Sequence, residues 1–305
     1  MSDIALSTMW AIGQFERLAD FFHAGKALGF THFELNHGVD SAMLEGLSLN
    51  GCITSVHEPC PADVSMGTLK ARNWLVSALD EDERRRGVVA VQRSIDLAHE
   101  LGAGAIIVHP GRVDVDPELE FRLVALYRQG KAGGPEYAAA RERLAAARAA
   151  RAGANMRSVR RSVLELAEYA EPRGVRLGLE NRYHYFEIPL PDEVDELLNL
   201  GCGDTVGYWH DVGHAEVLEN LGFGTHEEWL QRFAQRMVGI HLHDVVGIDD
   251  HQAAGLGNVD WELVARYLPA GALLTCEFQN YNSPEQVKAG LDLLRRAVGE
   301  GRPGA

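Results

Sequence analysis

Cysteine is scarce: Cys52, Cys60, Cys202 and Cys276 are scattered through 305 positions with no CxxC pair. That argues against a thiolate zinc cluster or a disulfide scaffold, and predicts reduced thiols in a cytoplasmic protein. Long apolar runs are missing as well. No stretch approaches the roughly 20 residues that span a bilayer. The opening MSDIALSTMWAIGQ has neither a basic segment nor a long apolar one, so no secretory leader is expected. Positive charge is short: 29 Lys and Arg face 44 Asp and Glu, a net charge of −15. Such a surface repels phosphate backbones and disfavours nucleic acid as a partner. Finally, no glycine-rich phosphate loop follows the first apolar run. A doubly wound dinucleotide-binding sheet would need one, so no organic cofactor is expected.

What the chain does have is alternation. Short β-type runs lie at 4–9 (IALSTM), 31–36 (THFELN), 51–57 (GCITSVH), 104–109 (GAIIVH), 175–180 (VRLGLE), 205–211 (TVGYWHD), 237–243 (MVGIHLH) and 272–277 (ALLTCE). Several are nearly continuous in apolar residues, as parallel strands covered on both faces should be. Amphipathic helical patterns fill the gaps, and three of them stop at Gly29, Gly102 and Gly174, where a left-handed cap is expected. Eight such units predict an α/β fold, a single (β/α)8 barrel over 1–305. Residues 112–155 do not fit the minimal barrel. Their Ala-, Arg- and Glu-rich second half predicts a helical insertion after strand four. It reads as a lid, an oligomer contact or a solvated excursion; the basic stretch RERLAAARAAR reads as a solvated helix face.

The strand ends carry the chemistry. Glu34, His57, His109, Glu180, Asp211, the pair His241 and His243, and Glu277 all fall at the ends of predicted strands. In a barrel these ends share the face that holds active sites. Carboxylates converging there would repel one another, and a divalent cation removes that difficulty. Glu, Asp and His without thiolate suit Mn, Mg, Co or Zn. Asp211 and His214 form D-x-x-H across a strand-to-helix turn, and Asp249 and His251 form D-x-H in a glycine-bearing loop.

Taken together, FELN, HEP, HPG, LGLEN, WHDVGH, HLHD and CEF resemble the xylose-isomerase-like barrel superfamily. It holds sugar and sugar-phosphate isomerases and epimerases, and also the endonuclease IV group. The resemblance implies a metal quartet of Glu180, Asp211, His241 and Glu277. The nuclease branch implies further ligands at His57, His109, His214, Asp249 and His251. Three features favour the isomerase branch: ALSTMW lacks the nuclease loop HVSxxGG, Glu34 stands where the nucleases carry an uncharged residue, and ENRYHYFEIP supplies Arg182, Tyr183, His184 and Glu187 for a polyol or phosphate. Glu187 lies one residue later than the second glutamate of the epimerases.

The resemblance therefore implies a metal-dependent sugar or sugar phosphate isomerase or epimerase. Glu180 and Glu277 would be acid and base around a metal-stabilised enediolate, with His214 on a substrate hydroxyl. Glu34, His57, His109, Arg182 and His243 would contact substrate, and Arg112 could meet a phosphate. Homo-oligomers are common among such relatives. The alternative is an endonuclease IV-like zinc phosphodiesterase. A non-catalytic metal-binding barrel is the third reading, and burying so many idle polar groups would cost stability.

Overall fold

The computed structural model describes residues 4–300, with side chains described through Val298. The apolar runs form eight parallel strands. These are β1 (Ile4–Ser7), β2 (His32–Leu35), β3 (Ile53–His57), β4 (Ala105–Val108), β5 (Arg176–Glu180), β6 (Val206–Asp211), β7 (Met237–Leu242) and, last, β10 (Leu273–Cys276). They close in the order β1-β10-β7-β6-β5-β4-β3-β2, a (β/α)8 barrel. Two short strands, β8 (Asp244–Val246) and β9 (Asp249–Gln252), form an antiparallel hairpin after β7 that the alternation pattern did not foretell.

Helices wrap the barrel: α1 (Leu18–Ala27), α2 (Ser41–Leu44), α3 (Met66–Ala71), α4 (Glu81–Leu101), α5 (Glu118–Arg128), α6 (Pro135–Ala170), α7 (Pro191–Leu198), α8 (Val212–Asn220), α9 (His226–Phe233), α10 (Trp261–Tyr267) and α11 (Pro284–Glu300). None is long and apolar enough to cross a membrane among the described residues. Gly102 ends α4 in the left-handed region at φ 71°, as its sequence position predicts.

Side-chain alternation on β6 sets the layers. Tyr208 joins the outer core between strands and helices, whereas Trp209 points inward with Ala105, Ile107 and Val238. Trp209 is fully buried and lies under His241, ring centroids 5.1 Å apart. Gly178 and Gly239 on the flanking strands leave room for it; a Cβ on Gly239 would sit 2.3 Å from the indole. The indole thus forms the floor of the site.

Residues 112–155 contain α5 and the first part of α6. Leu123, Leu126, Tyr137, Ala140 and Leu144 give the pair a small core of its own. Tyr137 Oη donates to Leu221 O at 3.0 Å, and Arg128 pairs with Asp249 at 2.9 Å, so this hairpin leans on the loops after β6 and β7. Beyond residue 155, α6 continues unbroken and is tied to α4 by Arg84, which donates to Ser162 and Glu165 at 2.9 and 2.8 Å.

Candidate metal centre and active site

Asp211 ends β6 and also caps α8, its Oδ1 accepting from the His214 N–H at 2.7 Å. This explains the D-x-x-H spacing: the cap places an imidazole one helical turn from the carboxylate. Around Asp211 the barrel brings Glu180 from β5, His241 from β7 and Glu277 just past β10. Their ligand atoms lie within 4.8 Å of one another, and all four residues are buried. His241 Nδ1 lies 2.8 Å from Glu180, 3.0 Å from Glu277 and 3.4 Å from Asp211. One ring nitrogen cannot satisfy three carboxylates, so the group fits a cation of higher charge than an imidazolium proton supplies.

Electrostatics repeat the point. Burial opposes ionisation of Glu277 and Asp211, yet His241 and His251 hold Glu277 low, and His214 and His243 hold Asp211 low. Burial alone would lower His241, but Glu277 and Glu34 push it well above the usual imidazole range. Glu180 is held low by Arg182 and His109 against its own burial.

Several residues read as substrate contacts have other partners. Glu34 lies behind His241, both oxygens 3.2 Å from Nε2, and accepts from Ser55 at 2.8 Å. A carboxylate on the far nitrogen fixes the ring so that Nδ1 faces the quartet. His243 is also spoken for. Its Nδ1 accepts from the His251 N–H at 2.9 Å, so its Nε2 carries the proton and donates to Asp211 at 2.9 Å. Arg182 is buried against Glu180, His109 (2.8 Å) and Glu187 (3.1 Å) rather than aimed at open space. Arg112 donates to the Lys70 carbonyl at 3.2 Å.

Four further groups adjoin the quartet: two share members with its core (Asp211, His243, His251 and Glu277; His57, His241 and Glu277), and two flank it, His57, His109 and Glu180 on one side and His214, Asp250 and His251 on the other. His57 Nδ1 donates to Glu58 O at 3.0 Å, with its Nε2 3.2 Å from His109 Nε2, and His214 Nδ1 donates to Asn181 O at 2.9 Å, which leaves the His214 Nε2 lone pair free. Burial and the Arg182 charge push His109 down to about 3. Asp249 does not reach the site. Its side chain is 64% exposed and pairs with Arg128, and Asp250 takes the position instead, 2.9 Å from His251 Nδ1. The reason is local: His251 adopts φ 56°, which breaks the strand alternation that would put Asp249 and His251 on one face.

The sequence reading missed Asn181, Asp250 and Glu58. Glu58 is buried beside His57, with Oε1 accepting from the His109 N–H at 3.1 Å. Burial raises its carboxyl to about 7, against the pull of that N–H and of Arg182. The folded chain therefore holds the proton more tightly than the unfolded one. This contribution is complete below the unfolded carboxyl value and is lost as pH rises through 7. Glu58→Gln keeps the acceptor and removes the charge. Its stability relative to wild type is expected to rise by about 3 kcal/mol between pH 4 and pH 8. Urea midpoints at the two pH values check this; a pH-independent difference would mean Glu58 ionises freely.

A family model described as xylose isomerase-like TIM barrel matches residues 22–297. The uncharacterized protein MJ1311 of Methanocaldococcus jannaschii is 24% identical over 217 residues, which cover 70% of this chain and 63% of that protein. The chain spans less than two thirds of the length of the curated relatives it matches. A D-tagatose 3-epimerase-like protein superposes with a TM-score of 0.63 at 19% identity, covering 98% of each chain. IOLI protein with a bound zinc atom superposes at 0.65 and 14% identity, covering 98% of this chain and 99% of that one. At those identities the likeness is one of fold, while the family model spans most of the barrel: the chain belongs to the xylose isomerase-like TIM barrel family.

Proposed function

We propose that this chain is a divalent-metal-dependent isomerase or epimerase of a sugar or sugar phosphate. The observation that carries the reading is the buried quartet Glu180, Asp211, His241 and Glu277, with two glutamates that can each meet a substrate carbon. One structural neighbour is a D-tagatose 3-epimerase-like protein and another binds zinc, which supports the same reading. Mixed oxygen and nitrogen donors suit Mn, Mg, Co or Zn. Bound there, the cation would polarise a carbonyl and the adjacent hydroxyl of an open-chain sugar. Glu180 or Glu277 takes the proton from the carbon between them, and the other returns it. His214, fixed by Asn181 through Nδ1, offers Nε2 to a substrate hydroxyl. His109 Nδ1 and Asp250 Oδ2 are buried with no hydrogen-bond partner among the described residues, and substrate hydroxyls would supply one.

A second reading, a zinc phosphodiesterase of the endonuclease IV kind, draws on the two flanking groups. One contact weighs against it: the Arg182 guanidinium already lies on His109 and Glu180, where a cation of the first flanking group would be.

Elemental analysis of protein purified without chelator tests the proposal. About one divalent ion per chain is expected at the quartet, with turnover of a ketose or aldose that chelator abolishes and metal restores. Two or three zinc ions with cleavage of abasic DNA would replace it by the second reading. A chain that neither holds metal nor takes it up would end both.

A further inference from the structure

The outer face of β6 holds a run of buried polar groups that the proposed chemistry does not use. Tyr208 and His210 point away from the barrel axis and are fully buried. They lie under α9, with Phe233 5.1 Å from the Tyr208 ring centroid. Tyr208 Oη is 2.8 Å from both Asn181 Oδ1 and His210 Nδ1. His210 Nε2 is 2.9 Å from His226 Nε2, and His226 Nδ1 is 3.2 Å from Glu216.

The proton directions follow from Asn181. Its Nδ2 donates to Asp211 O at 2.9 Å and its Oδ1 accepts from the Asp211 N–H at 2.7 Å, so the amide cannot be flipped. Tyr208 must then donate to Oδ1 and accept from the His210 Nδ1–H. One proton is shared between His210 Nε2 and His226 Nε2, and His226 Nδ1 donates to Glu216. The far end of this wire is Asn181, which holds both backbone polar groups of Asp211 and, through its carbonyl, His214.

We propose that Tyr208, His210 and His226 are positioning residues, a wire on the outer face of β6 that acts through Asn181 to lock Asp211 and His214 in place for the metal. The proposal rests on the metal-centre reading for its purpose but not for its geometry. Tyr208→Phe deletes one oxygen and keeps the packing. Trp229→Phe, in the same layer and 6.3 Å from Tyr208 but outside the wire, is the packing control. Two quantities are read in each: amide exchange at Asp211 relative to Ile107 in β4, and the Kd for Zn²⁺ by competition with a chromophoric chelator. Tyr208→Phe is expected to speed Asp211 exchange about tenfold relative to Ile107. It is also expected to weaken zinc binding about ten- to a hundredfold, the usual effect of losing an outer partner of a metal site. Trp229→Phe should lower the Tm and leave both unchanged. A wild-type exchange ratio in Tyr208→Phe overturns the proposal. If the ratio moves but the wild-type chain binds no zinc, the wire stands and the metal-centre reading falls.

Discussion

Glu277→Gln and Glu180→Gln are each expected to leave a folded protein whose turnover has dropped by about 10³-fold or more. The amide keeps the size of the carboxyl and one acceptor oxygen, so the contacts with His241 survive in part. On the proposed mechanism, what goes is the capacity to take a proton from carbon, together with a unit of negative charge in the quartet. Both glutamates are buried and both are held ionised, Glu180 by Arg182 and His109, Glu277 by His241 and His251. A carboxylate stabilised in that way is a weak base by itself. A bound cation would make the substrate proton more acidic and so bring the two into range. The loss should therefore fall on kcat for either variant, with a Tm within a few degrees of wild type. Steady-state kinetics on a ketose and aldose panel, with circular dichroism as the fold control, reads both. Wild-type turnover in either variant would remove that residue from proton transfer and with it the two-glutamate mechanism.

The barrel was legible because its strands are covered on both faces and so read as apolar runs, each closing on a polar residue where the strand meets solvent or ligand. The quartet came from the same signal together with the family resemblance: Glu180 and Asp211 end β5 and β6, Glu277 follows β10 by one residue, and His241 lies one residue before the end of β7. Strand periodicity was less informative beyond those ends. The D-x-H spacing put Asp249 beside His251, but one residue at positive φ turned Asp250 inward instead. The family resemblance grouped Glu34 and His243 with the substrate contacts, since both end on the same barrel face. Only three-dimensional register shows that Glu34 lies behind one imidazole and that His243 has both nitrogens engaged. Buried polar pairs such as Glu58 with the His109 amide leave no periodic mark, because each half belongs to a different strand.

Arg182 carries the choice between the two chemistries, and replacing it is expected to change how much metal the chain holds. In the structure its guanidinium touches Glu180 and lies 2.8 Å from His109 Nε2, while His57 Nε2 is 3.2 Å from the same His109 atom. Of three donors that could hold an ion, His57, His109 and Glu180, two thus contact an arginine nitrogen. Burial disfavours its charge, but Glu187 and Glu180 raise Arg182 above its ordinary value, so the cation is permanent. A permanent +1 charge so close to the donors repels a second divalent ion and competes for the same lone pairs. Removing the arginine alone would leave buried Glu187 with the part-exposed Lys70, 3.2 Å away, so the test pairs Arg182→Met with Glu187→Gln, which keeps the stem packing and removes both charges at the site. The double variant should take up about one more zinc ion per chain than wild type at saturation, measured by elemental analysis after desalting, while sugar turnover falls. An unchanged stoichiometry would mean that geometry, not the guanidinium, keeps the His57 group free of metal. A wild-type chain that already fills this group would show the arginine to be mobile, and the phosphodiesterase reading would then hold the stronger position.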